Sequence, residues 1–327
     1  MCFNKISVLL ERGKFMFKTI IAGFVFILLN SAFVFAQTSP NLETILSEAH
    51  KQTESYRETF RNLLAEETKT FEDYDKEGNV DEKTVVKSNF LVYQSGKDAK
   101  VTTELRNVVE VNGKLVPNSQ KRSNEFLSEL EKATTLEKEL QKIQSEGSKY
   151  DKSIKVEDLT LNEAVVLRPE IRPYFDFKLV GTENYQGNDV YVVSYQQTKK
   201  SPYNTVNEVS TVQGGFNFKL DIPGALKNND KFLRGKLWID AKNFQIRREE
   251  QELTVQTPEP IVLLSSIFEY QSSDYGLLVP KTFSLITYEL KKQKGDGRFV
   301  PVKATSLNFD YSKFRQTNVE VKILDDV

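Results

Sequence analysis

The chain is predicted to be a mainly β, α+β protein: one curved antiparallel sheet forming an incomplete β-barrel, covered by an N-terminal amphipathic helix and carrying an inserted helix. Three observations predict it. Aromatic side chains make up 11% of the 327 residues, with 22 Phe and 13 Tyr, and such side chains suit a half-buried pleated surface. Short runs of alternating polarity recur between Thr68 and Tyr311, separated by Gly, Asn and Asp turns. Sequential strands joined by short turns form antiparallel meanders, and a sheet apolar on one face must cover that face or curl around it.

Ahead of this body, residues 1–36 read as a secretory signal peptide. Lys14 and Lys18 precede the apolar run from Thr19 to Leu29, and Val34-Phe35-Ala36 closes the stretch before polar Gln37. The apolar run is shorter than the roughly 20 residues a spanning helix needs. Residues 1–15 carry Glu11 and Arg12, unlike a basic leader start, which makes Met16 an alternative beginning. The single cysteine, Cys2, lies upstream of the cleavage point, and no cysteine follows the apolar run to take a lipid. The expectation is one domain over residues 37–327, soluble in the periplasm or outside the cell, large enough to bury a core without disulfides.

The mature chain opens with a helix. Leu42, Ile45, Leu46, Ala49, Thr53, Tyr56, Phe60, Leu63 and Leu64 recur at helical spacing, opposite Glu48, Lys51, Glu54, Arg57 and Arg61. Strands around Thr68–Tyr74 and Thr84–Gln94 flank a turn at Asp75–Asn79, and Val108–Val111 and Leu115-Val116 flank Asn112-Gly113. Residues 123–147 break the pattern as an inserted charged helix striped by Phe126, Leu130, Ala133, Leu136 or Leu140, and Ile143, with Gly147 as its stop. From Tyr174 the chain returns to strands: Phe175–Leu179, Val190–Tyr195, Leu233–Asp240 with a return through Phe244–Ile246, Ile267–Tyr270, Thr282–Tyr288 and Leu307–Tyr311.

Residues 201–232 interrupt two good strands. The plain reading is a hairpin within the sheet. The functional alternative is a mobile flap, hinged at Gly214 and Gly215, whose Phe216, Phe218 and Leu220 cover a cavity. Thr257–Pro260, ahead of Ile261–Leu264, is a candidate second apolar loop.

Composition excludes several functions. Net charge is −1, with 45 basic and 46 acidic residues evenly mixed, so no basic field draws nucleic acid. His50 is the only histidine, which leaves His-based triads and His/Cys zinc sites without partners, and no metal or cofactor is implied. Asp73–Gly78 imitates a calcium loop, but the twelfth position is Thr84 rather than Glu. Glu66-Glu67, Glu249-Glu250 and Asp325-Asp326 read as solvated runs, and no catalytic residues are assigned.

Three stretches, in this order, resemble the LolA/LolB-like family of periplasmic lipoprotein carriers. They are the opening helix leading to the Lys76-Glu77-Gly78-Asn79 turn; Gly235–Asp240 with Asn243–Arg248; and Gly276–Lys281 before the next strand. The resemblance implies a non-enzymatic carrier whose sheet wraps an apolar cavity for a hydrophobic ligand such as a lipid or lipoprotein acyl chain. The inward face would then use Phe175, Phe177, Leu179, Leu237, Ile239, Phe244, Ile246, Leu307, Phe309 and Tyr311. A plain closed core would use the same residues. An interaction or sensor protein of the envelope on the same fold, with a protein partner, and a hydrolase with an unseen carboxylate site are the alternatives.

Overall fold

The computed structural model describes residues 40–60, 63–95, 101–119, 121, 145, 147–150, 164–208, 212, 215–295 and 297–316. The expected leader, most of the inserted helix, Gly214 and Asp325-Asp326 lie outside them.

Helix α1 spans Leu42–Thr59 and buries the stripe Ile45, Leu46, Ala49, Thr53, Tyr56. It ends a turn earlier than the spacing predicts. The Thr59 hydroxyl donates to the Ser55 and Tyr56 carbonyls, satisfying acceptors of the last turn. From Ala65 the buried positions change to every second residue (Ala65, Glu67, Lys69, Phe71), a strand period that overrides helical continuation.

That strand, β1 (Leu63–Tyr74), is the fourth from one end of an 11-stranded antiparallel sheet. On one side follow β2 (Val80–Ser95), β3 (Val101–Val111) and β4 (Lys114–Leu115). On its other side lies the last strand, β13 (Phe299–Gln316), then β12 (Leu278–Lys292), β11 (Ile261–Ser272), β10 (Ile246–Val255), β9 (Lys231–Asp240), β6 (Asn188–Gln197) and β5 (Phe175–Tyr185). The two ends, β4 and β5, do not pair with each other, so the barrel stays incomplete. Register shifts interrupt the β1–β13, β9–β10 and β11–β12 ladders, and such bulges bend and twist a sheet.

Turn chemistry sets the hairpins. The Asp75 carboxylate accepts from the Glu77 and Asn79 backbone N–H groups, which hold its pKa below the ordinary value. Asn112-Gly113 and Gln186-Gly187 both take positive φ at two successive residues (49° and 77°, 51° and 79°), the conformation that matches strand twist in a two-residue hairpin loop.

The face towards α1 carries the core. Register sets Leu307 opposite Phe71 and Leu285, and Phe309 opposite Lys69 and Phe283. A segment leading into β5 contributes Val166, Leu167 and Ile171, all fully buried, to the same cluster.

Residues 201–232 do not form a hairpin within the main sheet. Asn204–Val206 (β7) and Phe216–Phe218 (β8) make a separate two-stranded parallel sheet. Parallel pairing arises because the Asn207 side chain clasps Leu220 through both its amide donor and its oxygen, and its backbone N–H reaches the Phe218 carbonyl. Thr257–Pro260 is likewise no apolar loop: it is the connection from β10 to β11, and Ile261–Leu264 begin β11.

Candidate functional site

A groove of about 780 Å³ opens where β5 passes α1. Leu42 and Leu46 of α1 form one wall, Pro169, Arg172 and Pro173 a second, and Phe175 and Phe177 of β5 the third. Pro173 fixes a short 3-10 turn, Arg172–Tyr174, immediately before the strand. Arg172 donates to Glu43 at 2.6 Å, tying this turn to the first turn of α1 across the groove. Phe175 and Phe177 lie 6.3 Å apart by ring centroids, and both rings contact Tyr195. The polar rim is Glu43, Asp176 and Lys178.

The sequence-predicted inward residues do not converge on one place. Phe175 and Phe177 line the groove, whereas Leu179, two residues on, is 39% exposed. Leu237, Ile239, Ile246, Leu307, Phe309 and Tyr311 are all buried in the core cluster. Phe244 stands in the β9–β10 turn at φ 58°, its ring stacked on Tyr191. Phe216 and Phe218 stack on each other and, with Leu220, pack half-buried against the core. Gly215 is there for proximity, since a Cβ would stand 2.3 Å from the Tyr203 carbonyl oxygen.

Two polar clusters, the first buried and the second partly so, share the inward face, and sequence reading misses both. In the first, Arg106 Nε lies 2.9 Å from both Glu67 carboxylate oxygens, while its Nη2 donates to Glu104 at 2.8 Å. Burial opposes the Arg106 charge, but the two carboxylates hold its pKa well above the usual range. Its guanidinium also lies over the Phe90 and Phe309 rings, a placement that suits its weak hydration. Gly147, expected as a helix stop, is packed against this strand: a Cβ there would meet the Arg106 carbonyl oxygen at 2.9 Å.

The second cluster is Glu249, Tyr195 and Gln251. The Tyr195 hydroxyl donates to Glu249 at 3.1 Å, and Gln251 donates to the same hydroxyl at 3.4 Å. Burial pushes the Glu249 carboxyl up to about 7, against the hydrogen bonds it accepts from Tyr195 and the Ala164 backbone. The Tyr195 hydroxyl is raised by burial and by the charge of Glu249. Neither carboxylate pair is therefore a solvated run. Glu66 is exposed beside Lys313 and Glu250 meets Arg248 on the outer face, while Glu67 and Glu249 turn inward. The signal was strand parity: Glu67 alternates with Ala65 and Phe71, and Glu249 with Leu253.

His50, expected at a solvated position, is partly buried on α1 and its Nδ1 has no partner among the described residues. The described residues contain no group of three His, Cys, Asp or Glu able to hold a metal, and none of their helices is long and apolar enough to cross a membrane.

No family model and no curated protein matches the sequence. Solved structures do. A DUF1329 family protein from Desulfovibrio piger shares 12% identity over 85% of this chain and 93% of its own, with a TM-score of 0.37. A putative outer membrane lipoprotein-sorting protein domain from Vibrio parahaemolyticus shares 10% over 85% and 94%, at 0.35. A LolA superfamily protein from Nitrosomonas europaea shares 11% over 86% and 95%, at 0.31. These likenesses concern the course of the chain and say nothing of what it binds.

Proposed function

We infer that the chain is an exported, non-catalytic binding protein that shields a hydrophobic ligand, a lipid or lipoprotein acyl chain, in the groove between α1 and β5. The supporting observation is the groove itself, walled by Leu42, Leu46, Phe175 and Phe177 at an unclosed end of the sheet. Its volume of about 780 Å³ lies within the usual 300–1,000 Å³ of small-molecule sites. Each acyl methylene withdrawn from water is worth about 0.8 kcal/mol, so a partly covered chain supplies enough free energy for capture without specific polar contacts. Cleavage of the expected leader after Ala36 would release the protein to diffuse in the periplasm.

Leu42→Glu tests this reading. Leu42 is only partly buried, at the start of α1, where a carboxylate is favoured by the helix dipole. The fold should survive, as circular dichroism will show. A fluorescent fatty-acyl probe should bind the wild type and lose about tenfold or more in affinity to the variant, the equivalent of about 1.4 kcal/mol. Equal binding to both proteins, or no binding to the wild type, overturns the reading.

A further inference from the structure

Strand β5 ends the sheet and pairs only with β6 among the described residues. Every residue from Lys178 to Asn184 is exposed, with Leu179 at 39% and Val180 at 60%. At 11 residues it is long for an edge strand, and its apolar exposure offers a ready template for another strand. A register shift between Leu179 and Gly181 breaks the ladder to β6. The regular run available for pairing is therefore Phe175-Asp176-Phe177-Lys178-Leu179.

That run is its own complement. We propose that two copies of this chain join edge to edge through β5, antiparallel about a two-fold axis beside Phe177. In this register Phe177 faces Phe177 of the second copy and Phe175 faces Leu179 of the second copy, all on the inward face. Asp176 faces Lys178 of the second copy on the outer face, and the axis repeats the pair. Neither Asp176 nor Lys178 has an ion-pair partner among the described residues, and both are exposed. Directly opposed strand residues share a face, and opposite charges there favour pairing while like charges oppose it. A two-fold axis demands this self-complementarity, residue i meeting j and j meeting i. An unrelated strand would have to supply the inverted pattern itself. The inference does not depend on the groove holding a lipid, because the contacts are backbone edge and side chains of β5 alone.

Charge swaps decide it, read by sedimentation equilibrium on the purified chain. The wild type should dimerise. Asp176→Lys and Lys178→Asp should each place like charges opposite one another twice per dimer and raise the dissociation constant about tenfold or more. The double swap should restore the dimer, and an equimolar mixture of the two single variants should form a heterodimer. Both positions carry exposed side chains, so circular dichroism spectra should coincide. A wild type that is monomeric at every concentration, a dimer indifferent to the single swaps, or a double swap that stays monomeric overturns the proposal.

Discussion

Glu249 and Glu250 are adjacent in sequence and face opposite sides of β10. Glu250 accepts from Arg248 on the outer face, while Glu249 lies under Tyr195 with its pKa raised to about 7. A carboxyl whose pKa is higher folded than unfolded binds its proton more tightly in the folded state. Its contribution is therefore fully present below the ordinary 4.5 and is lost as pH rises through about 7. Glu249→Gln removes that loss. Thermal melts from pH 4 to pH 8 should show the variant gaining on the wild type as pH rises. Arg106 illustrates the same point in the opposite sense: one guanidinium lies between two buried carboxylates, and removing it would take the ion pair from both. Composition reports all these residues as surface charge. Only the strand register, which a sequence leaves open by one residue, separates the inward ones from the rest.

At the scale of elements, local chemistry was well expressed in the chain. The α1 stripe as far as Tyr56, the Asp75–Asn79 turn and the Asn112-Gly113 hairpin stand where spacing and turn residues place them. What local chemistry does not encode is close approach between strands distant in sequence. Gly235 looks like an ordinary strand glycine, yet a Cβ there would lie 2.0 Å from the Glu250 carbonyl oxygen and 2.4 Å from the Tyr195 hydroxyl. Gly235→Ala should therefore push β9 off β10 or displace Tyr195, costing about 1–3 kcal/mol by analogy with other overpacked sites. Urea denaturation will measure it, and a loss below about 0.5 kcal/mol would show that the strands yield freely. The parallel β7–β8 pair was equally hidden, since it depends on Asn207 clasping a residue 13 positions away.

For the whole molecule, the first and last long strands, β1 and β13, pair inside the sheet, which leaves β4 and β5 as its open ends. The sequence pattern foretold the half-closed sheet and the covering helix. It did not foretell the groove's location, because inward-facing residues of a filled core and of a cavity share one pattern. Seven of the ten predicted inward residues, Phe175 among them, are buried in the core; of the ten, Phe175 and Phe177 line the groove. The same end of the molecule thus carries both the groove and the β5 edge. Mass spectrometry of the solvent extract of the purified protein tests the central claim most directly. The account predicts a lipid or acylated molecule at close to one per chain, depleted in Leu42→Glu. An extract free of any apolar molecule, from a protein that also ignores the acyl probe, would contradict it.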